Sequence, residues 1–297
     1  MKKLLKKTIQ GLVLFAFFLL FIFLTSLFPV EKNGVIQGYY GQIFFDILVI
    51  LVMGASTSEL ILAVKKAGFS PAVIPLSILV AITYPLINFL GQKGFIMLMI
   101  AGITFIFIFY IFDRKLSLKD MFVSLFIFVY PILIFGLAID LIAQYGMIPL
   151  LIALSAAMAS DVFAFYFGSL IKGPKIFPRI SPKKTWAGSL FGILGGALGS
   201  LGVYGIFEVA KFPINNIFKF AEFFKGNLLL ILIFYGCLGA GIAFISEIGD
   251  IFASRIKREL GLKDFGTLLK DHGGVIDRID SIMFAVLVVS AVMMFLN

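Results

Sequence analysis

The chain is poor in most of what soluble enzymes use. Of its 297 residues only 14% are charged, and it has one cysteine, one histidine and one tryptophan. The cysteine, Cys237, lies inside an apolar run, so no disulfide can form within one chain, and redox chemistry is disfavoured. There is no Gly-x-Ser-x-Gly elbow, no cysteine–histidine pair and no Gly-x4-Gly-Lys-Ser/Thr loop. Nucleophilic catalysis therefore has no support, and neither does P-loop nucleotide binding.

What the chain has in excess is apolar surface: 61% hydrophobic residues and a mean hydropathy of +1.10. Soluble domains run near 45–50% apolar and about 25% charged. A soluble chain of this composition would expose large apolar patches and aggregate. A bilayer removes that difficulty, because lipid tails solvate apolar side chains while the backbone pairs with itself in helices. The fold class expected is all-α, a polytopic membrane protein.

About 20 apolar residues in a row are needed to cross roughly 30 Å of hydrocarbon. Such runs occupy 8–30, 43–64, 72–90, 94–112, 121–141, 147–167, 187–209, 228–248 and 279–296, giving about nine transmembrane helices. The first follows a lysine-rich start and is too long for the apolar core of a signal peptide, so it is read as a span. The chain divides into an N-terminal region, 1–145, with about five spans, and a C-terminal catalytic region, 146–297, with about four. The second region carries two long inner loops, 168–186 and 249–278. Lysine-rich starts of this kind point to a prokaryotic plasma membrane.

Basic residues orient the set. With the N-terminus in the cytoplasm, most of the 25 lysines and arginines fall on inner segments. Only Lys32, Lys93, Lys211, Lys219 and Lys225 fall outside. The net charge of +9 is thus a topology signal, and no nucleic-acid partner is expected. Gly188, Gly192, Gly196 and Ser200 recur every four residues, which lets helix backbones approach closely in lipid. Such spans can pack within one chain or between two, which leaves a homodimer open.

The two inner segments hold the chemistry. Asp161 lies in an apolar run, where an ionised carboxylate is costly unless it is paired or faces water. Lys183 and Lys184 precede a span, a position that topology alone would also favour. The second segment contains Asp250, Ser254, Lys257, Arg258, Lys263, Asp264, His272-Gly-Gly274, Asp277, Arg278 and Asp280. Asp277 and Asp280 are three apart and share a helix face. Mg²⁺ is typically held by one or two carboxylates plus substrate phosphates. The interleaved cations suit a polyphosphate, and the glycine turn permits close backbone approach to a phosphate. The combination describes a metal-dependent phosphate site.

The string Ser254-x2-Lys257-Arg258-x4-Lys263-Asp264-x7-His272-Gly-Gly-x2-Asp277-Arg-x-Asp280 resembles the signature of the phosphatidate cytidylyltransferases, or CDP-diacylglycerol synthases. Ser181-Pro-Lys-Lys-Thr-Trp-x-Gly188 and Asp161-x2-Ala-x-Tyr166-x-Gly168 resemble that family's upstream blocks. Lys270, Asp271 and Ala187 depart from the family's usual proline, glycine and glutamate. The resemblance implies the reaction CTP + phosphatidate → CDP-diacylglycerol + pyrophosphate at the cytoplasmic face of the bilayer, with Mg²⁺. Asp250 and Asp277 would hold the metal, with Asp280 nearby and able to hold a second cation. Lys257, Arg258 and Arg278 would hold CTP phosphates or the leaving pyrophosphate. Ser254, Lys263, Asp264 and His272 would position nucleotide or stabilise the loop, Lys183 and Lys184 would face the lipid phosphate, and Asp161 would line the substrate site. Two alternatives stand beside this reading. One is a related CTP-dependent lipid enzyme acting on polyprenol, phytol or archaeal ether lipids. The other is a secondary transporter, which the intramembrane carboxylates Asp46, Glu59, Asp140 and Asp161 would suit.

Overall fold

The computed structural model describes residues 24, 29–32, 35–39, 42–212, 214, 220–268 and 273–296. A short antiparallel hairpin, β1 (Pro29–Lys32) and β2 (Val35–Tyr39), precedes the helices. The helices are α1 (Gln42–Lys66), α2 (Val73–Leu90), α3 (Gln92–Phe112), α4 (Leu118–Ile127), α5 (Ile134–Tyr145) and α6 (Met147–Ile171). A second hairpin, β3 (Lys175–Phe177) and β4 (Ser181–Thr185), leads into α7 (Trp186–Val203). The short α8 (Phe220–Phe223), the long α9 (Leu228–Glu259) and α10 (Ile276–Leu296) complete the chain. Among the described residues eight helical segments are long and apolar enough to cross a membrane, counting Leu118–Tyr145 as one. This is a polytopic all-α membrane protein. Of the nine spans expected, the first, 8–30, lies outside the described residues save Leu24, which is helical, and its last two, which fall in β1.

The segment Leu118–Tyr145 stays helical through Pro131 by widening to a π-helix at Phe128–Leu133. Proline has no N–H to give, and a π-turn is one way for a helix to absorb the gap. The turn places Tyr130 inside the protein, 3% exposed. At the start of this segment Ser117 and Asp120 form a capping box. The free oxygen of Asp120 also accepts the Ser70 amide at 2.6 Å, tying the α1–α2 turn to α4.

Glycine sets the packing of the C-terminal region. A methyl group at Gly195 would lie 2.7 Å from Cβ of Phe163, and one at Gly199 would lie 2.6 Å from the Ser155 carbonyl, both on α6. On the other side, Gly196 faces the Gly239 carbonyl of α9, which an added methyl would approach to 2.6 Å. The small-residue stripe of α7 is thus a packing seam, wedged between α6 and α9.

Two features bring the polar segments together. Helix α9 has 32 residues, about 48 Å, against about 30 Å of hydrocarbon, so it continues well past the apolar run that ends at residue 248. The segment 249–278 is therefore not one loop: its first third is helix, and its last three residues begin α10. The segment 168–186 is likewise structured, since α6 runs to Ile171 and a hairpin follows. The Thr185 hydroxyl caps α7 by accepting the Gly188 amide at 3.1 Å.

Candidate active site

Four polar side chains fall on one face of α9: Glu247, Asp250, Ser254 and Lys257, at steps of three or four residues. Opposite them, the first turns of α10 present Asp277, Asp280 and Ser281. Asp161 projects from the middle of α6. The alternation of β4 turns Lys184 inward and leaves Lys183 exposed.

The cluster has an open part and a closed part. In the open part, Lys184 Nζ lies 2.8 Å from Asp250 Oδ2 and donates to the Glu247 carbonyl at 3.0 Å. Asp250 is 31% exposed and Asp161 is exposed as well, although Asp161 lies mid-helix among Asp250, Lys184, Glu247 and Ser281. Asp161 thus reaches the same polar group from the middle of α6. Its carboxylate accepts the Ser281 hydroxyl at 3.2 Å. Glu247 accepts the Ser189 hydroxyl, and its other oxygen is buried with no hydrogen-bond partner among the described residues.

In the closed part, Lys257 Nζ sits 2.8 Å from Asp277 Oδ1 and 3.7 Å from Asp280 Oδ2, and 5.3 Å from the centre of the Phe265 ring. Asp277 uses its second oxygen on the loop, accepting the amides of Phe265 and Gly274, each at 2.9 Å. Tyr130 reaches the same place from the π-turn. Its hydroxyl is buried without a described partner, within electrostatic range of Asp280, Asp250 and Asp277. Its ring packs between Phe126, Phe252 and Phe284.

Five carboxylates (Asp161, Glu247, Asp250, Asp277 and Asp280) thus share a half-buried region with two lysines. The formal excess is negative, and uncompensated charge is costly in such surroundings. Oxygen donors with a surplus of negative charge have the chemistry of a site for a hard cation. Among the described residues no three His, Cys, Asp or Glu groups are already gathered as an ion cage, and the Lys257 ammonium occupies the place between Asp277 and Asp280.

Of the residues singled out in the sequence, Asp161, Lys184, Asp250, Lys257, Asp277 and Asp280 come together. Ser254 lies half-exposed on the same face of α9. Arg258, Lys263, Asp264, Arg278 and Lys183 are exposed at the margin, and Arg258 donates to the Leu262 carbonyl at 3.2 Å. His272 lies outside the described residues. The glycine turn has another explanation than phosphate approach. Gly273 has φ +79°, and Gly274 is pressed against the carboxylate of Glu59.

Sequence reasoning did not assign Glu59, Glu247, Ser189, Ser281 or Tyr130 to the site. For Glu247 a signal existed, since it precedes Asp250 by three residues and so shares its face. For Tyr130 the only hint was a Tyr-Pro pair in an apolar run.

The fold and site together define a polytopic membrane protein with an acid–base cluster at one end of its C-terminal bundle. The model of the cytidylyltransferase family matches residues 5–296, and the chain belongs to that family. Its relatives include a phosphatidate cytidylyltransferase of Rickettsia conorii, 37% identical over 128 residues, which are 43% of this chain and 50% of that protein. That of Aquifex aeolicus is 32% identical over 174 residues, 58% of this chain and 57% of the relative. That of Helicobacter pylori is 34% identical over 171 residues, 57% and 56% of the two chains. In these matches the chain spans about half the length of the curated relatives.

Proposed function

We propose that the protein is a phosphatidate cytidylyltransferase, converting CTP and phosphatidate to CDP-diacylglycerol and pyrophosphate at the cytoplasmic face of the membrane. The observation that carries this reading is the meeting of the three motif segments, through Asp161, Lys184, Asp250, Lys257, Asp277 and Asp280, in one polar cluster of a membrane-spanning bundle. The family and the names of its relatives support the same reaction.

A phosphatidate phosphate oxygen forms a bond to the α-phosphorus of CTP while the bond from that phosphorus to its bridging oxygen breaks. Pyrophosphate leaves with the electron pair. Such a displacement asks little covalent help of the protein; it needs in-line alignment and neutralisation of developing charge. Mg²⁺, when bound, would supply Lewis-acid neutralisation of the triphosphate. Asp250, with Asp161 and Asp280 in electrostatic reach, is the donor set best placed to hold it, because Asp277 already uses both oxygens within the protein. Lys184, fixed by Asp250 and the Glu247 carbonyl, meets the lipid phosphate. Lys257, fixed by Asp277, neutralises the leaving pyrophosphate. Arg278, Lys263 and Asp264, at the margin, meet the nucleotide from the cytoplasm.

The transporter reading loses support here. Asp46 accepts the Tyr84 hydroxyl at 2.7 Å, Asp140 accepts the Gln144 amide at 2.6 Å, and Glu59 accepts the Ile276 amide at 3.1 Å, so each has a hydrogen-bond donor within the protein. The test is turnover by purified protein in detergent with CTP, Mg²⁺ and phosphatidate. CDP-diacylglycerol and pyrophosphate should form together and stop on chelation. Pyrophosphate only with another lipid acceptor would change the substrate, and no CTP turnover with any lipid would refute the reading.

A further inference from the structure

The N-terminal region contributes no residue to the chemistry proposed above, yet Glu59 of α1 ends in the loop that connects α9 to α10. Its side chain is buried, 7% exposed, and Oε2 accepts the Ile276 amide at 3.1 Å across 217 residues of sequence. A methyl group added at Gly274 would overlap the Glu59 carboxyl, whose atoms are its three nearest neighbours. A methyl group at Gly266 would likewise overlap the Glu59 side chain, nearest its Oε1, Cδ and Cγ atoms. Neither glycine has a positive φ, so what excludes a side chain there is space, not backbone conformation.

The loop is therefore held between two carboxylates. Glu59 takes the Ile276 amide from one side, and Asp277 takes the Phe265 and Gly274 amides from the other. Asp277 in turn fixes Lys257 at 2.8 Å. A shift of the loop would move Asp277, and with it the ammonium that the reaction uses. Bonds from a carboxylate to backbone amides are among the stronger ones, and a buried one is not replaced by water when it is lost.

We infer that Glu59 is a positioning residue of the active site, setting the backbone at Gly266, Gly274 and Ile276 and through it Asp277 and Lys257. The N-terminal spans thus form part of the catalytic framework. The turnover arm of the test rests on the reaction proposed above; the exchange arm does not.

The experiment compares Glu59→Ala, Glu59→Gln, Gly274→Ala and the double variant Glu59→Ala/Gly274→Ala in the full-length protein in detergent. Amide exchange of the 262–276 segment is measured by mass spectrometry, and steady-state kinetics are measured with CTP and phosphatidate. Glu59→Ala should speed exchange in that segment about tenfold, the scale of one lost charge-assisted hydrogen bond, and leave the outer ends of the helices unchanged. It should lower kcat about tenfold and move KM for CTP less than about threefold, since the ammonium it positions acts on the leaving group. Glu59→Gln retains an acceptor oxygen and should stay within about threefold of the parent in both readouts. Gly274→Ala should loosen the same segment, and the double variant should be no worse than Glu59→Ala, because the overlap is with the group removed. Exchange of 262–276 unaltered in Glu59→Ala, or effects of the two substitutions that simply add, would overturn the inference. Should Glu59→Ala not fold, the same exchange in Gly274→Ala against Glu59→Gln decides: loosening in the first alone supports it, and parity of the two sinks it. A parent protein that does not turn over CTP would sink the proposed function, and exchange would still decide the role of Glu59.

Discussion

Replacing Lys257 by methionine tests the charge balance of the closed part of the site. The ammonium touches Asp277 and Asp280, and the three side chains are 10%, 3% and 8% exposed. Methionine keeps most of the volume and removes only the charge. Taking away one partner of a buried pair costs about 3–5 kcal/mol, because the charge left behind has no compensation. The two carboxylates are not equally affected. Asp277 retains two backbone donors on its other oxygen, whereas Asp280 retains the Ser281 amide at 2.8 Å. The loss falls mainly on Asp280 and should sit near the lower end of the range, about 3 kcal/mol. For a chain of this size that corresponds to a fall in Tm of about 6–12 °C.

The assay is size-exclusion chromatography of detergent-solubilised protein after heating, with excess chelator so that no divalent cation replaces the ammonium. A second variant makes the reasoning specific. Lys257→Met/Asp280→Asn removes the stranded charge along with its partner and should recover at least half of the lost Tm, a coupling that independent sites do not show. A Lys257→Met protein within about 2 °C of the parent, less than one kcal/mol on the same scale, would refute the burial argument. So would a double variant no better than the single one.

Asp250→Asn should lower CTP turnover by about a hundredfold or more while leaving Tm nearly unchanged, because Asp250 is accessible and removal of a preorganised charge is felt in the rate. Initial rates across a Mg²⁺ series check it, and a variant keeping most of its rate removes Asp250 from the cation site. Asp277→Ala should abolish nearly all turnover without global unfolding and should speed amide exchange at Phe265 and Gly274, which lose their shared acceptor. Retained turnover would separate Asp277 from the chemistry. Gly196→Ala forces a methyl against the Gly239 carbonyl and should destabilise by about 1–3 kcal/mol, read as a lower Tm. Gly241→Ala, with open space around the added methyl, is the control that should not.

The spans were legible because a lipid-facing helix must be apolar over a fixed length, and that constraint is local. Where the sequence reading ended α9 at residue 248, hydropathy had stopped but helix had not: Gly249–Glu259 leaves the hydrocarbon while keeping its backbone bonds, and only side-chain periodicity reports it. That periodicity was available, since Asp250, Ser254 and Lys257 already lie at helical spacing, and it would have brought in Glu247. Asp161, Lys184 and the Asp277–Asp280 pair were legible as types and as a resemblance, but their meeting was not, because it depends on how closely α7 approaches α6 and α9 along its glycine seam.

Glu59 shows the limit most clearly. A carboxylate in an apolar span reads as a functional group facing water or a transport path, since an unpaired one is too costly to keep. The premise holds, and the conclusion depends on the partner. Here the partners are an amide 217 residues away and two glycines, neither of which carries a charge that a sequence pattern could flag. The same contact explains Gly274, which the sequence assigns to phosphate approach. A glycine beside an invisible partner looks like a site open to ligand, and the difference between the two lies entirely in which atom fills the space where its side chain would be.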